Sequence, residues 1–231
     1  MADRYLWLLP EPAAEAFIAR MGGTALLSGE ERARCERALS PDLRRRRLAG
    51  RLLARHALAE RSGRPPGAWR FRTAGDGRPE PEPAHDGLRF NLTHTDDLIA
   101  CVVTDSGRAC GVDAEPSPAG PDALVHLPRF FAPAERAEVE RAPREERAAL
   151  VAAYWVLKEA YLKALGTGLR RELSTITFTH PSGTPRIAVF DSRRPASDWH
   201  FDLIHPAPGQ VLAVAAERAR PDGLATTVLS R

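Results

Sequence analysis

Tyr154-Trp155-Val156-Leu157-Lys158-Glu159-Ala160-Tyr161-Leu162-Lys163-Ala164-Leu165 is the stretch on which the reading of this chain turns. Together with Leu150 one turn earlier, Tyr154, Leu157, Tyr161 and Leu165 recur at spacings of three and four, so a helix carries them as one apolar stripe for a core. The spacing predicts a long helix from about Arg144 to Leu165, ended by Gly166. Glu159 and Lys163, at i and i+4, share a different face. Taken alone they are an ordinary surface pair contributing roughly 0.2 to 0.5 kcal/mol. Composition sharpens that reading. The 231 residues hold 33 basic side chains, of which 31 are Arg and only two, Lys158 and Lys163, are Lys. A chain rich in Arg, Ala and Pro reflects a GC-rich coding background, so Arg density itself says little. A compact ammonium differs from a planar guanidinium in size, hydration and adaptability of its pKa, so a helix that keeps both lysines is marked for function.

Working outward, Pro133-Ala134-Glu135 opens a shorter helix to about Arg141, and the Pro-rich Pro116–Pro121 reads as a boundary between two halves. Before it, Leu98–Thr104 and Ala109–Glu115 read as strands of a β-hairpin turned at Asp105-Ser106-Gly107. Within the second of these, Gly111-Val112-Asp113-Ala114-Glu115 sets two carboxylates on one face of a strand and Val112 and Ala114 on the other. Taken alone such a pair is either an exposed polar face or, since paired carboxylates repel one another, a seat for a shared hard divalent cation such as Mg²⁺. Gly63–Gly87, with Pro79-Glu80-Pro81-Glu82-Pro83, reads as loop. Ser40-Pro41 is an N-cap followed by a first-turn proline, opening a helix through about Glu60 that stops at Ser62-Gly63. Ser28 and Glu31 have capping-box spacing. On the longer helix Arg44, Arg47, Arg51 and Arg55 share a face, either a solvated one or a surface for phosphate. Ser28–Arg55 carries nine Arg against Glu30, Glu31, Glu36 and Asp42, a local excess of five positive charges that could hold an anion. Downstream, Thr175–Thr179, Arg186–Asp191, Trp199–Ile204 and Val211–Glu217 read as strands. Two halves, each with helices and a small antiparallel sheet, make the class α+β.

The length is sufficient for a sizeable core and excludes a disulfide miniprotein or a disordered tail. No apolar run approaches the roughly 18 to 20 residues that span a bilayer, and Asp3 and Arg4 interrupt the N-terminus, so a cytoplasmic protein is expected. Cys35, Cys101 and Cys110 lack CxxC spacing and read as buried free thiols, not as a disulfide framework or a zinc site. A formal net charge of +3 does not demand a polyanionic partner such as duplex DNA.

Asn91-Leu92-Thr93-His94-Thr95, Gly111-Val112-Asp113-Ala114-Glu115, Phe130-Phe131 with Glu135, and Trp155-Val156-Leu157-Lys158-Glu159-Ala160-Tyr161-Leu162-Lys163 occur in an order and spacing that resembles the Sfp-type 4'-phosphopantetheinyl transferases. The resemblance covers most of Ser28–Leu169, and the Trp and Ala of the last motif resemble the subgroup serving polyketide and nonribosomal peptide synthases. It implies two similar α+β halves with the active site in the cleft between them. Residues 1–110 would bind the phosphates of coenzyme A, and 111–231 the metal and the carrier protein. The implied activity is Mg²⁺-dependent transfer of 4'-phosphopantetheine from coenzyme A to a serine of an apo acyl or peptidyl carrier protein, releasing adenosine 3',5'-bisphosphate. Asp113, Glu115 and Glu159 would hold Mg²⁺. Glu159, directly or through a metal-held water, is the first candidate for general base and Glu135 the second. Lys163 would stabilise charge at the phosphate, with Lys158 in support of the helix or the cofactor. Arg34, Arg47, Arg78, Thr93 and His94 would contact the cofactor. Thr93-His94-Thr95 stands where the family usually has Ser-His-Ser, and Arg47 where it often has a smaller hydroxyl residue. Gly166–Leu173, with Arg170 and Arg171, would meet the acidic helices of a carrier. A monomer is implied, with no nucleic-acid or membrane partner. The competing readings are the same reaction directed mainly at fatty-acid synthase carriers, and a non-catalytic module holding RNA or an acidic protein on Arg44–Arg47.

Overall fold

A computed structural model describes residues 1–73, 78–82, 87–105, 107–168, 171–179, 187–193 and 198–230. It divides the chain into two units, one of Ala2–Arg108 with Leu224–Arg231 and one of Ala109–Gly223.

The first unit opens on β1 (Arg4–Pro10), a nearly continuous apolar run buried along most of its length. After α1 (Ala14–Arg20), α2 (Gly29–Glu36) begins at the expected capping box: Glu31 N donates to Ser28 Oγ at 3.2 Å, and Ser28 N donates back to Glu31 Oε2 at 2.9 Å. Helix α3 (Pro41–Ser62) starts where Leu43 N donates to Ser40 Oγ and ends at Gly63, whose φ of 73° suits glycine. Leu52, Leu53, Ala57 and Leu58 of α3 are fully buried against Trp7, Leu9, Ile99, Cys101 and Val103. The sheet beneath is formed by β1, β4 (Arg89–His94), β5 (Leu98–Thr104) and β11 (Leu224–Val228) in the order β11-β1-β5-β4, with β11 parallel to β1 and the other pairs antiparallel. Within the stretch expected to be loop, β2 (Phe71–Thr73) and β3 (Pro79–Pro81) pair as a short ribbon. A two-stranded ribbon consists only of edges, where proline's missing N–H does no harm. Arg72 and Glu80 face each other across it at 2.5 Å.

The second unit holds β6 (Cys110–Pro116), α4 (Pro121–His126), α5 (Pro133–Arg141), α6 (Arg147–Leu165), β7 (Ile176–Thr179), β8 (Ala188–Asp191), β9 (Trp199–Ile204) and β10 (Gln210–Glu217). Strands β6, β10 and β9 form an antiparallel sheet in that order, and β7 pairs with β8. The apolar stripe of α6 is core as expected: Tyr154, Leu157 and Tyr161 are fully buried, Leu150 nearly so and Leu165 half-buried. Tyr161 meets Trp199 edge-on, with ring centroids 4.9 Å apart, and donates its hydroxyl to Asp191 Oδ2 at 3.0 Å.

Two expectations are corrected. Strand β5 does not form a hairpin with β6; it pairs with β1 on one side and β4 on the other, while β6 pairs with β10. Every residue of β5 is buried, as a strand with neighbours on both sides requires, and the apolar β1 supplies the pairing that was assigned to β6. Ser106 of the expected turn lies outside the described residues. The units divide after Arg108, not at Pro116–Pro121, and β11 returns to the first unit's sheet, so that unit is not one continuous segment. Pro116 ends a strand; the chain after it is tied within the second unit by Ser117 N to Gly209 O at 2.9 Å and Ala119 N to Ala148 O at 3.0 Å.

Candidate functional site

Gly111 sets the geometry of the second unit's polar cluster. A Cβ there would overlap the carbonyl oxygen of Ala160 and lie 2.6 Å from the amide nitrogen of Ala164, so only glycine lets the backbone of α6 lie directly on β6. Side chains two and four positions along a strand share a face with it. Asp113 and Glu115 therefore point toward α6, while Val112 and Ala114 are buried on the opposite side. The helix meets them in reverse order. Ala160 and Ala164 lie over Gly111, Lys163 reaches Asp113, and Trp155 donates a side-chain hydrogen bond to Glu115.

The Lys163 ammonium lies 2.7 Å from Asp113 Oδ1 and also donates to the carbonyl of Val112 at 3.1 Å. It is 29% exposed and Asp113 8%, so the pair is screened little by solvent but still reachable from it. Burial, and after it the Asp113 carboxylate, push the Glu159 carboxyl up to about 7, Lys163 opposing and Glu115 adding to the rise. Burial and then Asp113 also raise Glu115, against the bond from Trp155. Asp113 thus raises both glutamates, and the three acidic side chains share a single nearby ammonium. Glu159 Oε1 is buried and has no hydrogen-bond partner among the described residues. An orphaned oxygen beside two further carboxylates is the donor set that a hard cation takes. Among the described residues no group of three or more such side chains is gathered as a metal cluster, and Lys163 holds the Asp113 Oδ1 oxygen.

Glu135 and Lys158 are placed differently from expectation. Both are fully buried and form an ion pair at 2.8 Å. Glu135 accepts from Ala132 N at 2.8 Å, capping α5, and from Phe178 N of β7 at 2.7 Å. Lys158 donates its remaining hydrogens to the carbonyls of Leu173, at 3.0 Å, and Ile176, at 2.5 Å. Burial lifts the Glu135 carboxyl and depresses the Lys158 ammonium, each opposed by the other's charge. Neither side chain is exposed to a dissolved substrate, so the second candidate base is corrected to an internal strut, and of the two expectations for Lys158, support of the helix or of the cofactor, its burial fits the first. Arg171 is corrected likewise, being nearly buried and ion-paired with Asp191, the same carboxylate that accepts from Tyr161. Arg170 lies outside the described residues.

The cofactor candidates of the first unit do not form one cluster of free cations. Arg34 pairs with Glu30 at 2.6 Å on the surface of α2, and Arg47 donates to the carbonyl of Arg34 at 3.3 Å. Arg78 pairs with Glu80 at 3.0 Å. Thr93 is buried and His94 exposed, on alternate sides of β4. The arginine stripe of α3 runs from surface to core: Arg44 is exposed, whereas Arg55 is fully buried, gripping Glu31 through both carboxylate oxygens at 3.1 and 2.7 Å and lying over the Phe71 ring at 4.7 Å. Sequence reasoning missed the roles of Gly111 and Trp155. The signals were present in the small residues Ala160 and Ala164 at i and i+4, and in Trp155 one turn before Glu159.

No helix among the described residues is long and apolar enough to cross a membrane. Residues 109–216 match the family model described as the 4'-phosphopantetheinyl transferase superfamily. The chain is 35% identical over 169 residues to the 4'-phosphopantetheinyl transferase HetI of a Nostoc species, covering 72% of this chain and 70% of that one. It is 30% identical over 244 residues to a phosphopantetheinyl transferase of a Thraustochytrium species, with 93% and 82% covered, and 26% identical over 199 residues to the 4'-phosphopantetheinyl transferase Sfp of Bacillus subtilis, with 86% and 84% covered. The match spans the carboxylates of β6 and the Glu159–Lys163 face of α6, and on these grounds the chain belongs to the 4'-phosphopantetheinyl transferase superfamily and is an enzyme of that kind.

Proposed function

We propose that this enzyme transfers the 4'-phosphopantetheine arm of coenzyme A to a serine hydroxyl of apo acyl or peptidyl carrier proteins of polyketide or nonribosomal peptide synthases, in the presence of Mg²⁺, releasing adenosine 3',5'-bisphosphate. The observation that supports this reading best is Asp113 holding the Lys163 ammonium at 2.7 Å with Glu159 and Glu115 beside it. Asp113, Glu115 and Glu159 are the residues that would hold the metal, and a bound divalent cation would neutralise pyrophosphate charge during in-line displacement. In the transfer a bond forms between the serine oxygen and the phosphorus carrying the pantetheine arm, the pyrophosphate P–O bond breaks, and the serine proton leaves to a base. Glu159, lifted to about 7, is the carboxylate of this site best matched to that proton. Lys163 supplies the mobile positive charge, passing from Asp113 to the phosphoryl oxygens.

In the first unit, Arg34, Arg47, Arg78 and His94 are proposed to meet the cofactor's phosphates, the arginines exchanging their present partners for phosphate oxygens. The three carboxylates speak against a module that holds RNA, because they repel a polyanion. The test is the mass of an apo carrier protein after incubation with coenzyme A, Mg²⁺ and enzyme. Gain of one phosphopantetheine on a polyketide or peptide synthase carrier, faster than on a fatty-acid synthase carrier, is expected; no gain on any carrier overturns the proposal.

A further inference from the structure

Lys163 stands in the last turn of α6, and its stem carries the ammonium across to β6, where it donates to Asp113 Oδ1 at 2.7 Å and to the carbonyl of Val112 at 3.1 Å. It thereby holds a carboxylate oxygen of the set that would take a divalent cation, and its charge also reaches Glu159 and Glu115. An ammonium and a metal ion on one carboxylate repel each other, and a partly buried setting screens that repulsion little. Surroundings separate the two lysines. Lys158 is fully buried and held by Glu135 and by the carbonyls of Leu173 and Ile176. Lys163 is 29% exposed and sits on a flexible four-carbon stem, so it can turn from Asp113 to an anion that arrives from solvent. One turn earlier on the same helix face, Glu159 Oε1 is buried and has no hydrogen-bond partner among the described residues. A divalent cation arriving alone must displace the ammonium from its carboxylate. One arriving with a phosphate brings the ammonium a new partner.

We propose that Lys163 is the resident counter-ion of this carboxylate set and competes with the divalent cation for Asp113, so that the cation binds strongly only when an anionic coenzyme draws the ammonium away. The inference rests on the metal-dependent reading above and adds to it a coupling between cation and coenzyme, which is reciprocal in free energy. Its test reads Mn²⁺ affinity from the electron paramagnetic resonance of the free ion, with and without coenzyme A, for wild type, Lys163→Met and Lys163→Arg. A second reading needs no variant to fold. Because Lys158 and Lys163 are the chain's only lysines, isotope-labelled lysine gives one ammonium signal for each by nuclear magnetic resonance. Without coenzyme A, Lys163→Met is expected to bind Mn²⁺ at least about tenfold more tightly than wild type, and coenzyme A is expected to strengthen Mn²⁺ binding about tenfold less in that variant. Lys163→Arg keeps the charge and is expected to stay within about threefold of wild type. In wild type, Mg²⁺ with coenzyme A is expected to shift the Lys163 signal and leave that of Lys158 in place. Mn²⁺ binding by Lys163→Met no tighter than by wild type overturns the proposal, as does a Lys163 signal that Mg²⁺ and coenzyme A leave unmoved. A chain that shows both expected effects yet modifies no carrier keeps this inference and loses the function proposed above. Wild type and Lys163→Met that both bind no Mn²⁺, with or without coenzyme A, lose this inference together with the metal assignment.

Discussion

The two long helices are laid on their strands in opposite ways. In the first unit the glycine is on the helix: Gly50 of α3 faces Ile99, and a Cβ there would sit at an ordinary 3.8 Å from its side chain. In the second it is on the strand, and Gly111 leaves α6 no room at all. The charges differ as well. Arginines of the first unit are occupied by nearby acids, Arg34 by Glu30, Arg45 by Glu11, Arg46 by Asp96 and Arg55 by Glu31. The second unit brings Asp113, Glu115 and Glu159 near one ammonium and leaves them underneutralised. Where the backbone is held closest, the side chains conflict most. Under the proposed function, that charge is kept for a ligand instead of being spent on the fold.

The largest effect on stability separates the structural arginine from the others. Glu31→Ala leaves the Arg55 guanidinium buried without its carboxylate and is expected to cost about 3 to 5 kcal/mol in a denaturant titration, far more than any exposed arginine of the same stripe. Next comes the glycine pair. Gly111→Ala forces α6 off β6 and is expected to cost about 3 kcal/mol or more, with loss of transfer, whereas Gly50→Ala should gain about 0.5 to 1 kcal/mol from helix propensity. Equal outcomes for the two glycines would remove the contrast on which this account rests.

A smaller effect follows from Glu159. Its carboxyl is raised from 4.5 to about 7 in the folded chain without metal, so the fold binds that proton more tightly than the unfolded chain does. The stability this contributes is complete below pH 4.5 and is lost as pH rises through 7. Glu159→Gln should therefore raise the thermal midpoint of the metal-free protein at pH 8, by an amount equivalent to about 1 to 2 kcal/mol, and change it little at pH 4.5. The smallest effect is expected for Arg47→Ala, which leaves stability within about 0.5 kcal/mol and raises KM for coenzyme A a few-fold.

Much of the second unit was legible because its signals are local. The apolar stripe of α6, the alternation of Asp113 and Glu115, and the stop at Gly166 all follow from period and φ alone. The first unit was read less well. Strand β1 carries apolar residues on both faces and so has no alternation to detect, and β11 is recognised only through its parallel partner, some two hundred residues away in the chain. The ribbon of β2 and β3 was hidden by its prolines. At the site, residue type located the carboxylates, but burial decided what Glu135 and Lys158 do. The two lysines that composition singled out are placed differently, Lys158 sealed inside among carbonyls and Lys163 partly exposed on Asp113.

The most direct test of the central claim is the mass of an apo carrier protein incubated with coenzyme A and either wild-type enzyme or Asp113→Ala, each with Mg²⁺ and with a chelator. The account predicts a phosphopantetheine adduct for wild type with Mg²⁺, none with the chelator, and a rate at least about a thousandfold lower for a folded Asp113→Ala. Full transfer by Asp113→Ala, or by wild type without divalent cation, would contradict it.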